Sequence, residues 1–121
     1  MKQATKTFQH VNDLWDFAQE NKFQGNELEL LIYRSNLLGR DLRITNYGGG
    51  NTSCKTTETD KISGEQVEIM WIKGSGGNLG TLNKQGLAGL YLSKLHTLKK
   101  QYKGLKFEDE MVRLFDYCIF C

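Results

Sequence analysis

The chain has 121 residues, 39% of them apolar and 25% charged, which suits one domain with a buried core and is too apolar for a disordered chain. Sixteen basic and fourteen acidic side chains leave a net charge of +2, so there is no electrostatic case for nucleic acid or anionic lipid as a partner. No apolar run approaches the about 20 residues that span a bilayer, so no membrane partner is expected.

The first helical pattern covers Val11 to Glu20, with Val11, Leu14, Trp15 and Ala18 on one face. Asn21 to Gly25 breaks it. A second helix is predicted from Asn26, a good N-cap type, to Leu38, with Leu28, Leu31 and Ile32 as its stripe. Gly39 stands where a helix stop is expected. Leu42, Ile44 and Thr45 suggest a short strand, interrupted by Gly48-Gly49-Gly50. Thr52 to Thr59 reads as a strand ending in a charged turn through Gly64, and Val67 to Lys73 is the clearest strand, apolar on both faces. A second glycine cluster, Gly74 to Gly80, follows. A long helix is predicted from Asn83 to Tyr102, ended by Gly104, and a last helix from Phe107, with Glu108, Asp109 and Glu110 in its first turn.

Met1 to Thr7 carries Lys2 and Lys6 with no apolar segment behind them, unlike a secretory signal. Three cysteines are too few and odd in number for a disulfide scaffold, so a cytoplasmic location is expected. The final run, Tyr117-Cys118-Ile119-Phe120-Cys121, is apolar and lacks a polar tail. It reads as a cut end, so residues 1–121 are expected to be a single truncated domain. The other reading is a last helix that docks its tip into the core. A truncated sheet would expose apolar surface, and a homo-oligomer is expected on that ground.

Thirteen glycines without a proline, clustered at two strand ends, are the most informative feature. A bound phosphate needs several N–H groups converging on one point, and glycine lets a backbone come that close. Gly49-Gly50-Asn51-Thr52-Ser53 offers backbone, an amide and hydroxyls; Lys73-Gly74-Ser75-Gly76-Gly77-Asn78 offers a cation, a hydroxyl and further N–H groups. Either cluster alone reads as a turn or bulge. Together they leave an anion site and a pair of turns both open. Neither is a Walker loop or a dinucleotide fingerprint.

Other chemistry has thinner support. His10 and His96 are the only histidines, and the Cys118/Cys121 pair lacks a second ligand pair for zinc, so no metal ligands are assigned. Cys54 has Lys55 beside it to lower its pKa, yet no histidine with a claim to be its base. No catalytic residue is assigned. The lysines of the Lys94–Lys103 stretch read as a solvated face.

Several segments carry a resemblance as an ordered set: Tyr33 to Asp41, Asn46 to Ser53, Trp71 to Leu79, and Glu108 to Val112. The chain resembles the class II aldolase/adducin family. Within it, the chain looks closest to the aldolase portion of long bifunctional rhamnulose-1-phosphate aldolase/dehydrogenase proteins. The resemblance implies a partial α/β/α layer fold with a mainly antiparallel sheet flanked by helices. It implies a zinc-dependent lyase that cleaves a ketose 1-phosphate, such as rhamnulose 1-phosphate, to dihydroxyacetone phosphate and an aldehyde. By motif position, Gly50, Asn51 and Ser53 match the first phosphate-binding segment, and Ser75 and Gly76 match the second. Lys73 departs from the commoner pattern and by its charge is expected to pair with the phosphate. The family's His-x-His pair and catalytic glutamate have no counterpart in this chain. Zinc is therefore expected in a longer parent enzyme and not on this chain, which alone is expected to be inactive. The alternative is an adducin-like, non-catalytic phospholigand-binding or assembly module.

Overall fold

A computed structural model describes residues 13–74 and 76–121. The helices are α1 (Phe17–Lys22), α2 (Glu27–Arg40), α3 (Leu92–Lys100) and α4 (Glu108–Leu114), and the strands are β1 (Ser53–Thr59), β2 (Gln66–Lys73) and β3 (Leu87–Tyr91). The strands form one antiparallel sheet in the order β1-β2-β3. The predicted antiparallel sheet with flanking helices is present.

One face of the sheet carries Cys54, Val67, Ile69, Trp71, Leu87 and Tyr91, and α2 lays Leu28 and Leu31 on it. Leu31 and Ile69 are fully buried there. The β2 alternation explains this: Ile69, Trp71 and Lys73 are buried, while Met70 and Ile72 on the opposite face are half-buried. α2 begins where its cap chemistry says it should. The Asn26 side chain accepts the Glu29 N–H at 3.0 Å, satisfying a donor that the helix leaves free. Replacing Asn26 by alanine is expected to cost about 1 kcal/mol, read as a lower urea midpoint with an unchanged slope.

Four predicted elements differ from the fold. The first helix starts at Phe17, capped by Asp16, and residues 13–16 are irregular. Leu14 and Ala18 are exposed, so the predicted stripe is not a buried face, and Val11 lies outside the described residues. Leu42 to Thr45 is a turn: the Ile44 and Thr45 N–H groups both bond the Asp41 carbonyl. Gly39 does not end α2, which continues through Arg40; Gly39 is there for a contact described below.

The fourth difference is the largest. The predicted helix from Asn83 to Tyr102 is a short 3-10 turn at Lys84–Gly86, then β3, then α3, which ends at Lys100. The run Leu87 to Tyr91 has the apolar content of either a helix or a strand. The open edge of β2 decides it, since Leu87–Tyr91 meets the backbone groups of Ile69–Lys73. Gly89, a poor helix residue, is needed in the strand because a Cβ there would stand 2.8 Å from the Trp71 ring.

The final run docks on β3. Phe120 N–H donates to the Gly89 carbonyl at 2.7 Å, and Gly89 N–H donates to the Cys121 carbonyl at 2.8 Å. The Phe120 ring stands edge-on to Trp71 and Tyr91, and Cys118 is buried. Leu105, Val112, Phe115, Tyr117 and Ile119 stay exposed around it.

Candidate functional site

The two glycine loops meet at one end of the sheet. The pairing of Ser53 with Ile72 places the chain entering β1 beside the chain leaving β2. The Lys73 N–H then bonds the Thr52 carbonyl at 3.3 Å. Behind this contact, Gly50 takes a left-handed φ of 85° and packs so closely on Leu79 that a Cβ would lie 3.0 Å from that side chain. The first loop thus leans on the second.

Helix α2 holds both loops. For the first, the Ser35 hydroxyl bonds that of Thr52, and Arg34 donates to the Ser53 carbonyl at 3.2 Å. For the second, the Asn36 amide donates to the carbonyls of Leu79 and Leu82, and Arg40 donates to that of Gly80. Gly39 and Gly80 make the approach possible, since a Cβ on Gly39 would sit 2.1 Å from the Gly80 nitrogen. Arg34, Ser35 and Asn36 were not singled out as site residues in the sequence. Their signal is a polar run interrupting an apolar helix, with Ser35 one turn after Leu31 on the buried face.

The sequence-predicted site residues fall as follows. Gly50, Asn51 and Gly76 are exposed on the two loops, and Ser53 is exposed at the start of β1. Ser75 lies outside the described residues. Lys73 is only 5% exposed, and its ammonium donates to the carbonyls of Gly74 at 3.2 Å and Gly77 at 2.8 Å. The expectation that Lys73 pairs directly with a phosphate gains a structural component: the ammonium also closes its own loop. Among the described residues it forms no ion pair.

Asp41 fixes the turn that leads from α2 into the first loop. Its carboxylate takes a bidentate bond from Arg43, both contacts at 2.8 Å. That side-chain bond holds the Asp41 carboxyl below its ordinary pKa, with burial opposing the shift. The folded pKa is the lower one, so the contribution to stability is present at neutral pH and lost as pH falls through it. Asp41→Asn should flatten the acid side of the stability–pH curve, read as urea midpoints between neutral and acid pH.

Cys54 is no activated nucleophile. Burial and the Glu27 charge raise its thiol pKa, and these outweigh Arg34 and the neighbouring Lys55. Its alkylation by iodoacetamide at neutral pH should be several-fold slower than that of exposed Cys121. Rates are read by mass spectrometry of the two peptides, and equal rates would contradict the assignment.

Among the described residues, no three His, Cys, Asp or Glu side chains gather to hold a metal ion. His96 is exposed on α3, and His10 lies outside the described residues. The described residues do not by themselves fit a zinc centre. No helix among the described residues is long and apolar enough to cross a membrane.

This geometry has a counterpart among solved structures. The chain superimposes on the N-terminal class II aldolase domain of a conserved protein from Thermoplasma acidophilum with a TM-score of 0.77 and 30% identity. The fold matches a class II aldolase domain. The match covers 93% of this chain and 49% of that one, so the class II aldolase-like elements here span about half of the solved chain. A curated relative is the uncharacterised oxidoreductase YuxG of Bacillus subtilis (strain 168), 39% identical over 109 residues. That alignment covers 90% of this chain and 15% of the relative. No protein-family model matches the chain.

Proposed function

We propose that the chain supplies the phosphate-binding part of a class II aldolase-type lyase acting on a ketose 1-phosphate. The observation that carries this reading is the meeting of the two glycine loops, joined by the Lys73–Thr52 backbone bond within a class II aldolase-like fold. The loops bring exposed Asn51, backbone N–H groups and the Lys73 cation to one end of the sheet. Such an arrangement suits a doubly charged ester, because preorganised donors bind it without rearrangement. Rhamnulose 1-phosphate is the substrate that the sequence resemblance favours. The ligands that hold the zinc and the glutamate that moves the proton would come from other residues of a longer polypeptide.

The isolated 121-residue chain is then expected to bind the sugar phosphate and leave it intact. Titration with rhamnulose 1-phosphate and with unphosphorylated rhamnulose should show that only the former binds. A coupled assay for dihydroxyacetone phosphate, with zinc added, should stay at background. Turnover by the chain alone would refute the division of labour, and equal binding of the two sugars would refute the phosphate reading. A longer protein that binds without cleaving would instead point to the adducin-like module. The exposed Val112, Phe115, Tyr117 and Ile119 further support self-association, and sedimentation showing a monomer at high concentration would argue against it.

A further inference from the structure

Ser35, in the middle of α2, is the most deeply buried polar side chain among the described residues, at 0% exposure. The helix has no need of its hydroxyl. Alanine is the better helix former, and a serine bonded back to the carbonyl four residues earlier slightly destabilises a helix. The Ser35 hydroxyl is instead placed against the hydroxyl of Thr52, in the first glycine loop.

The direction of that bond follows from a second one. Ser35 Oγ lies 2.6 Å from the Leu31 carbonyl oxygen, which can only accept. The one hydroxyl hydrogen of Ser35 therefore goes to Leu31, and Thr52 must donate to Ser35. Thr52 thus turns its hydrogen inward and has no O–H left for a bound anion. Its backbone is held too, since its carbonyl accepts the Lys73 N–H at 3.3 Å. The flanking residues are fixed as well: Gly50 packs on Leu79, and the Ser53 carbonyl accepts from Arg34. Exposure alternates through the segment, with Asn51 and Ser53 exposed and Thr52 and Cys54 half-buried. Turning Thr52 onto α2 therefore turns Asn51 to the side that a ligand can reach.

We infer that Ser35 is a positioning residue for Asn51. By accepting from the Thr52 hydroxyl it fixes which way the first loop faces, so that the Asn51 amide meets a ligand already ordered. The inference rests on the reading of Asn51 as a ligand contact, and it adds a residue from the buried face of α2 that touches no ligand itself. A packing role would ask only for side chains of the right size at positions 35 and 52. A positioning role asks for both hydroxyls.

The test compares Ser35→Ala, Thr52→Val, the double variant and Thr52→Ser in the 121-residue chain. Amide nitrogen relaxation without ligand reads the order of Asn51, and titration with rhamnulose 1-phosphate reads the affinity. Ser35→Ala and Thr52→Val should each lower the Asn51 order parameter and weaken binding about five- to tenfold. The double variant should bind no more weakly than either single one, since both remove the same bond. Thr52→Ser keeps the hydroxyl and loses the methyl, and it should recover most of the order and affinity that Thr52→Val loses. Thr52→Val probes the same bond from the loop should Ser35→Ala not fold. An unchanged Asn51 order parameter in both single variants overturns the inference. So do losses that multiply in the double variant, or a Thr52→Val chain that binds like the wild type. If the wild-type chain binds no rhamnulose 1-phosphate, the proposed function falls, and the order parameters alone decide whether Ser35 holds Asn51.

Discussion

Gly39→Ala is expected to destabilise the chain by about 3–5 kcal/mol, although alanine is the better helix former. Two effects oppose each other. In a helix interior the exchange by itself would gain roughly 0.5–1 kcal/mol. The new methyl carbon, however, would stand 2.1 Å from the Gly80 nitrogen, 2.5 Å from the Leu79 carbonyl carbon and 2.7 Å from the Gly80 Cα. All three are backbone atoms, so no side chain can rotate away. The helix and the second loop must separate, and the Asn36 and Arg40 bonds to Leu79, Leu82 and Gly80 stretch with them. Typical overpacking costs about 1–3 kcal/mol, and each lost bond adds about 1. A total stability of about 5–15 kcal/mol leaves little reserve against such a loss. Gly77→Ala is the control, because a Cβ there meets only the Gly74 carbonyl oxygen, at 3.9 Å. Urea denaturation should show a large drop in midpoint for Gly39→Ala and almost none for Gly77→Ala. A midpoint that rises in Gly39→Ala would mean that α2 and the loop are not in contact.

Lys73→Met is the second large expected effect, and it falls mainly on binding. Methionine keeps much of the buried stem and removes the cation. The Gly74 and Gly77 carbonyls lose their donor, at up to about 1.5–3 kcal/mol for each bond to a charged group. Two things offset this. Gly74 and Gly77 are themselves exposed, so water can replace the ammonium, and the cost of burying an unpaired lysine charge disappears. Net destabilisation of about 1–2 kcal/mol is therefore expected, with faster hydrogen exchange in the loop. Phosphate affinity should fall more than tenfold, because Lys73 is the one cationic residue in the two segments Gly49 to Ser53 and Lys73 to Asn78. Hydrogen exchange and phosphate titration on the same sample separate the two roles. Faster exchange with unchanged affinity would make Lys73 a loop clamp alone.

The parts legible in the sequence were those that short-range chemistry decides. Asn26 caps α2 because its own side chain reaches a helical N–H three residues on. The β1–β2 hairpin is written as a Thr-rich run and an apolar run joined by a charged turn. The glycine loops were visible as loops because glycine clusters at strand ends favour irregular backbone. A resemblance carried by those same loops anticipated the class II aldolase-like fold.

What the sequence left undecided were contacts between distant segments. Gly39 looks like a helix stop when only its neighbours are considered; Gly80, forty-one positions on, makes it a packing glycine. Leu87 to Tyr91 fits a helical stripe, yet becomes β3 because β2 has an edge to fill and Trp71 needs a glycine opposite. Lys73 looks like a free cation for a ligand, and only the folded loop gives it the Gly74 and Gly77 carbonyls. The physical reason is common to all three. Caps, turns and alternation are settled within a few residues, whereas a clash, an open sheet edge or a shared hydrogen bond exists only once two remote stretches of chain are brought together.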